Sequence, residues 1–290
     1  MTPLFIIGME RAGTTTLFNS LAANKCVDIL IDKEPGCFNL YQADYQINEE
    51  LGRKLKDYFD YFEKAKFNLR SGKFFLDATP LYLTDPLSLL MINKLLPNPK
   101  FIIVFRNPVD RAVSGIKWDL AKGRKDYNAI LEENIKKSLI SQGLQFLEKN
   151  YLKEDILLFN FSDLRDAEKV KSKLKEFLNI EVDTSDLMVS NQSGGRRKHL
   201  WLYRLNLFTV KYLSRYWLVR QFIRLIKLSV IKDWIVNLRD RIDLEEVYEP
   251  QIDDNSLERL AFDFKKLSES DLLSPSVLQA CEESYKKIKK

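Results

Sequence analysis

Long apolar runs are missing from this sequence. No stretch of its 290 residues has the length and freedom from charge that a membrane-crossing helix needs. An apolar strand pattern begins almost at Met1, with no charged leader and apolar core ahead of it, which speaks against a cleaved secretory signal. Cysteine is scarce. Cys26, Cys37 and Cys281 are odd in number and far apart, and they form neither a CxxC pair nor a metal-ligand spacing. Buried or free thiols in a reducing, cytoplasmic compartment are therefore expected. Histidine is scarcer still, His199 being the only one. Internal repeats and low-complexity tracts are absent.

What remains is ordinary for a globular chain with a sizeable core: 45% apolar and 30% charged residues. The net charge of +5 is unevenly spread. Residues 196–241 hold twelve Lys and Arg against two acids, a local +10, which leaves −5 for the rest of the chain. A basic segment on an otherwise acidic protein suggests an anionic partner or surface.

Five short apolar runs stand at 4–7, 27–31, 74–76, 101–105 and 156–159. Their apolarity is continuous rather than alternating, as in strands covered on both faces. Helical patterns lie between or after them at 17–23, 49–69, 87–96, 128–149 and 169–178. Strands alternating with helices predict an α/β fold, an open, mainly parallel sheet flanked by helices. After about residue 190 the strand signal fades. We expect one domain over 1–290, with an α/β core at 1–195 and a helical C-terminal region at 196–290. Asp254 or Asn255 is the expected cap of a helix in that region.

The first run leads into "GMERAGTTT", in which Gly8 and Gly13 have the spacing of a nucleotide phosphate loop. The lysine such a loop carries after its second glycine is absent, and Thr14 stands there; the nearest cation is Arg11. A glycine turn at a helix start aims backbone amides at one point and adds the helix dipole. Gly13, Thr14, Thr15 and Thr16 offer amides and hydroxyls, and Arg11 offers a planar fork suited to an oxyanion. A plain helix cap is the bland alternative. A second feature is "KFIIVFRNPVDRAVSGIKW". Arg106 ends a buried strand, where ligands of open α/β sheets bind. Asp110 can cap the next helix, and Ser114 lies one to two turns into it. Arg111 is as well explained by a surface ion pair as by a ligand.

Taken together these features resemble the sulfotransferase family that uses 3′-phosphoadenosine 5′-phosphosulfate (PAPS). Arg11-Ala12-Gly13-Thr14-Thr15 is similar to its first motif, which binds the 5′-phosphosulfate. Arg106-x-Pro and Arg111-Ala-x-Ser114 are similar to its second, which binds the 3′-phosphate. The resemblance runs to about residue 200 through "DILLFNFSDLRDAEKVKSKLKEFLNI". "IDKEPGCFNLY" resembles the segment bearing the catalytic Glu in the branch acting on polysaccharides, the heparan-sulfate type included; this implies Glu34 as base, with Lys33 beside the reacting groups. "FLDATPLYL" resembles the family's Thr-Pro turn. "SGGRRKH" resembles the late loop over the 3′-phosphate, with Gly195, Arg196 and Arg197 in the matching positions and Gly194 in place of the family's lysine. Two departures stand out. Ala78 replaces the Lys that often precedes Thr-Pro in glycosaminoglycan enzymes, and His199 is not placed as the His base of the phenol and steroid branch.

The resemblance implies an open P-loop-like α/β fold, PAPS as donor and its bisphosphate product PAP, and no metal. It implies in-line transfer to a hydroxyl or amine, with a glycan or glycolipid as the expected acceptor and a peptide tyrosine or small alcohol as alternatives. Two rival readings stay open at this point: a nucleotide kinase or NTPase with a degenerate loop, and a non-enzymatic basic protein that binds membrane or nucleic acid. Apart from its charge the 196–241 segment carries no nucleic-acid motif, so no nucleic-acid partner is expected. Its aromatic residues suit either a core helix with snorkelling cations or peripheral membrane contact through 199–241.

Overall fold

The computed structural model describes residues 1–29, 33–39, 49–67, 73–182, 196–197, 244–245 and 250–288. All five apolar runs are strands: β1 (Thr2–Gly8), β2 (Val27–Ile29), β3 (Phe74–Asp77), β4 (Lys100–Phe105) and β5 (Ile156–Asn160). They form one parallel sheet in the order β2-β3-β1-β4-β5. The central β1 explains its composition. Leu4, Phe5, Ile6 and Ile7 are all fully buried, so neither face has room for a polar side chain. Phe5 stacks on Phe101 with centroids 5.7 Å apart and meets Phe38 and Tyr82 edge-on. Each such buried side chain contributes about 1.5–3 kcal/mol by area alone.

The flanking helices are α1 (Thr14–Ala22), α2 (Glu49–Phe67), α3 (Pro86–Leu95), α4 (Pro108–Ala121), α5 (Tyr127–Lys136), α6 (Ser141–Asn150) and α7 (Ala167–Leu178), followed later by α8 (Asp254–Leu267) and α9 (Pro275–Ile288). The continuous helical pattern over 128–149 is broken into α5 and α6. The break has a tertiary cause: the buried Asp263 carboxylate accepts from the Ile140 and Ser141 amides at 3.0 and 3.3 Å and from the Ser141 hydroxyl. Burial pushes the Asp263 pKa up, and those hydrogen bonds oppose the shift. Two caps also differ from expectation. Asn107, not Asp110, caps α4, its Oδ1 accepting from Val109 at 2.9 Å with Pro108 in the first turn. Asp253 caps α8, accepting from Ser256 at 2.7 Å.

The chain divides into two compact units. The first holds Met1–Gly115, Leu131–Gln192 and Ile252–Lys290, and so contains the whole sheet together with α8 and α9. The second holds Ile116–Ile130 and Ser193–Gln251. Within it Arg196–Arg197 (β6) pairs antiparallel with Leu244–Glu245 (β7). Residues 198–243, which include the aromatic basic segment and His199, lie outside the described residues, as does Gly195. Among the described residues no helix is long and apolar enough to cross a membrane.

Candidate active site

Because the sheet is parallel, the carboxyl ends of its five strands lie along one edge, and the segments that follow β2, β1 and β4 gather there. These three segments, with the helices that follow β1 and β4, hold the candidate residues of the first unit.

The loop after β1 starts with an enforced close approach. Gly8 has φ 135°, and a Cβ on it would stand 2.4 Å from the Val104 carbonyl oxygen. The Met9 amide then donates to that carbonyl at 3.2 Å, and Ala12 donates back to the Met9 carbonyl. Gly13 enters α1 in the left-handed region at φ 86° and brings no side chain to cap the helix. Thr14 and Thr16 turn into the protein at 4% and 3% exposure, and Thr15 between them is half-buried. Arg11 itself is left-handed, at φ 65°.

Arg106 leaves the end of β4 beside this loop. Its Nη1 donates to the Arg11 carbonyl at 2.6 Å, and its guanidinium lies 4.7 Å from the centre of the Phe161 ring. Burial lowers its pKa from the usual arginine value, with Asp110 acting the other way. Beside it opens a cavity of about 730 Å³. Arg106, Arg165, Lys169 and Lys173 line it against the carboxyls of Asp110 and Asp163, and α9 forms part of its wall. Ser114 is buried at 4% exposure on α4.

Arg111 does something else. It is 1% exposed and turned to the back of the loop: Nε donates to the Glu10 carbonyl and Nη2 to Glu10 Oε2, both at 3.2 Å. Nη1 donates to the Asn134 carbonyl and Oδ1 at 2.8 and 3.0 Å. Lys137 also reaches Glu10 at 3.0 Å; burial would lower its pKa, but Glu10 and Glu133 outweigh that and raise it. This arginine is a buried tether of the glycine loop, neither a casual surface pair nor a solvent-facing ligand.

The third element is the loop at 33–39. Glu34, with φ 61°, donates its amide to the Ala78 carbonyl at 3.2 Å, which seats it over the carboxyl end of β3. Its carboxylate is about half exposed and is paired with Lys33 Nζ. The Ala78 side chain is buried, so this position offers only its carbonyl. The four non-glycine residues with left-handed φ among those described are Arg11, Glu34, Asn98 and Asn179. Asparagine tolerates that region; arginine and glutamate rarely occupy it, and such strain concentrates at functional sites.

The described structure therefore brings Arg11, Ala12, Gly13, Thr14, Thr15, Thr16, Arg106, Lys33 and Glu34 to the carboxyl ends of three neighbouring strands. Arg196 and Arg197 lie in the second unit. Two residues with local importance escaped the sequence reading. Phe161 packs under Arg106 and near Gly13, where a Cβ would meet its ring at 3.4 Å. Asp77 is a carboxyl at 1% exposure at the end of an apolar strand. A lone acid closing a buried run was the available signal for the second; nothing local marked the first.

Comparison with known proteins agrees with this layout. The family model described as "Sulfotransferase family" matches residues 3–184, which take in all five strands and all three loops. No curated protein matches the sequence. Among solved structures, a sulfotransferase from Alicyclobacillus acidocaldarius is similar at 20% identity with a TM-score of 0.53, covering 74% of this chain and 95% of that one. A sulfotransferase domain from the curacin biosynthetic pathway (18% identity, TM-score 0.46) and one from the Synechococcus PCC 7002 olefin synthase (18%, 0.44) each cover 66% of this chain and 78% of their own. At 20% identity the likeness to the Alicyclobacillus structure speaks for the fold alone. With the glycine loop, the Arg106 strand end and the Glu34 loop all inside the matched span, the chain belongs to the sulfotransferase family.

Proposed function

We propose that this protein moves a sulfuryl group from PAPS to an acceptor hydroxyl or amine, on a glycan or glycolipid, with Glu34 as the base. The observation that carries the reading is the shared backbone state and placement of Arg11 and Glu34. Among the described residues they are the two charged ones held in left-handed backbone; Arg11 follows β1, and the Glu34 amide bonds to Ala78 just past the adjacent strand β3. A polyanionic donor suits the residues present. The start of α1 has no side-chain cap, and Arg11 and Arg106 add two cations.

PAPS supplies the sulfuryl group and departs as adenosine 3′,5′-bisphosphate. The bond from sulfur to the 5′-phosphate oxygen breaks as the bond from sulfur to the acceptor atom forms, and the acceptor's proton passes to the Glu34 carboxylate. Sulfuryl transfer is physically akin to phosphoryl transfer through a loose, in-line transition state, so the protein's work is to position and to stabilise charge. In this reading Arg11 and the amides and hydroxyls of Gly13, Thr14 and Thr15 meet the charge on the leaving 5′-phosphate. Arg106 and Ser114 hold the 3′-phosphate; for Gly195, Arg196 and Arg197 a role at that phosphate rests on the resemblance of the late loop alone. Lys33, in contact with Glu34, keeps the carboxylate oriented. The resemblance of the Lys33–Glu34 segment to polysaccharide sulfotransferases supports the glycan acceptor, and peripheral membrane contact through 199–241 would suit a lipid-linked one.

Calorimetric titration with adenosine 3′,5′-bisphosphate and with ATP tests the donor. Tight binding of the bisphosphate and weak binding of ATP are expected; a preference for ATP would overturn the assignment. A transfer screen with labelled PAPS against glycan, lipid and phenol panels then reads the acceptor, and label on phenols alone would sink the glycan proposal.

A further inference from the structure

The loop that carries Glu34 is fastened by two tethers with a common base. The Gly36 amide donates to Thr79 Oγ1 at 3.3 Å, and the Phe38 amide donates to Tyr82 Oη at 3.1 Å. Both hydroxyls are buried and both donate a hydrogen bond to one carboxylate: Thr79 to Asp77 Oδ1 at 2.7 Å, Tyr82 to Asp77 Oδ2 at 3.0 Å. A hydroxyl has one proton and two lone pairs. With the proton committed to Asp77, what each hydroxyl can turn to the loop is an acceptor, which is what a backbone N–H requires. On the carbonyl side of the same loop the Ser88 hydroxyl stands 2.6 Å from both the Phe38 carbonyl and Asp85 Oδ2, its one proton shared between the two acceptors.

We infer that Asp77 is a positioning residue for the acceptor side of the site: its carboxylate sets the proton direction of Thr79 and Tyr82 and through them holds the 34–38 loop, with Glu34, at the end of β3. The inference rests on the reading of Glu34 as the base. An aliphatic residue at this strand end would leave the two hydroxyls free to point their protons at the loop amides, donor against donor. The groups that face Asp77 are Tyr58 from α2, Cys37 from the loop and Tyr82, with Lys54 and Asp57 acting on Cys37 from α2. Burial raises all three facing groups, so each is neutral through the physiological range. Asp77 is then the group that changes charge there, because burial lifts its pKa to about 7 against the opposing bonds from Thr79 and Tyr82. Protonated, it keeps a proton on one oxygen and can no longer accept from both hydroxyls. One tether loosens as pH falls below about 7.

Amide hydrogen exchange on the full chain, corrected for intrinsic rates, tests this. Asp77→Asn should speed exchange at both Gly36 and Phe38 about five- to tenfold, the loss of one ordinary hydrogen bond at each. Thr79→Val should do so at Gly36 alone and Tyr82→Phe at Phe38 alone, while Thr79→Ser keeps wild-type protection. In the wild type, protection at the two amides should fall between pH 8 and pH 6, and Asp77→Asn should lack that slope. Affinity for adenosine 3′,5′-bisphosphate should stay within about twofold of wild type, since the hydrogen bonds of the Asp77 side chain run to Thr79 and Tyr82, which hold the 34–38 loop and not the glycine loop. Wild-type exchange in Asp77→Asn, or equal acceleration across β1 and β4, overturns the inference. If that variant does not fold, unchanged exchange in both single-tether variants overturns it equally. Failure of the wild type to bind the bisphosphate would instead remove the donor reading, and retained turnover in a Glu34→Gln variant would remove the base. Neither result alters the exchange pattern.

Discussion

Arg106 and Arg111 lie five residues apart, yet Arg111 is tied into the protein while Arg106 lines a cavity and is the proposed donor ligand, so removing each should leave a different signature. Arg111→Ala takes away four hydrogen bonds made at 2.8–3.2 Å by a side chain that is 1% exposed. Breaking a buried pair from one side costs about 3–5 kcal/mol. Here Glu10 is about a quarter exposed and keeps Lys137 at 3.0 Å, so the charge left behind is partly compensated. The Asn134 carbonyl keeps the Ser138 hydroxyl at 2.8 Å, while Asn134 Oδ1, on a residue 2% exposed, loses its bond from Arg111, at about 1–3 kcal/mol. A total near 3 kcal/mol corresponds to a fall of about 6–12 °C in Tm for a chain of this size. Arg106→Ala removes one bond to the Arg11 carbonyl and a ring contact, which should lower Tm by only about 2–4 °C. Donor binding should rank the other way. Losing a charge-assisted contact to the donor phosphate weakens adenosine 3′,5′-bisphosphate by about 10- to 100-fold, whereas loosening the loop from behind costs about tenfold or less. Thermal melts and calorimetry on both variants decide the matter. An Arg111→Ala protein with wild-type Tm and strongly weakened binding would refute the reasoning, because Arg111 would then be touching the ligand.

Other consequences follow from the same geometry. Glu34→Gln should lower turnover by about 10²–10⁴-fold, the usual weight of a general base, while bisphosphate affinity is retained. Gly13→Ala puts a Cβ at φ 86° and 2.6 Å from Leu164 Cδ1; it should cost about 1–3 kcal/mol in a urea melt and weaken the bisphosphate as well. The raised pKa of Asp77 has a defined linkage sign. Its contribution to stability is fully present below the ordinary carboxylate pKa and is lost as pH rises through about 7. Asp77→Asn should thus gain on the wild type in denaturant melts as pH goes from 4 to 8, and a constant difference would contradict the burial argument. Cys37 and Cys281 are buried, with thiols pushed up to about 12 by burial first and by nearby acids second. Ellman titration at pH 8 should count one fast thiol, Cys26, in the native protein and three in denaturant; two or more fast thiols would contradict that burial.

Much of the architecture was legible from side-chain chemistry alone. A continuous apolar run such as Phe101–Phe105 can be satisfied only where both faces are covered, so its place inside a parallel sheet follows from local composition. The glycine loop and the Arg106 strand end were legible for a similar reason: Gly8, Gly13 and a helix start are short-range features, and a parallel sheet sends its carboxyl ends to one edge. Helical periodicity was less informative where tertiary contacts compete with it. The pattern over 128–149 is uninterrupted, but Asp263, more than a hundred residues away, draws the Ile140 and Ser141 amides out of the helix.

What the amino-acid order settled by itself, then, is the sheet, the order of its loops and the residue types those loops present. Tertiary structure alone decided which way each side chain faces. Arg111 and Ser114 lie three residues apart on one helix, and nothing in that spacing says that Arg111 turns inward to Glu10. That outcome depends on α4 packing so closely on α5 that a Cβ at Gly115 would overlap Asn134 Oδ1, a distance of 1.9 Å. Likewise, Asp77, Thr79 and Tyr82 are close in sequence, but Gly36 and Phe38 reach Thr79 and Tyr82 across more than forty residues. Hydrogen bonds of that range are selected by packing, since the chain between their ends carries no local signal of where they will meet.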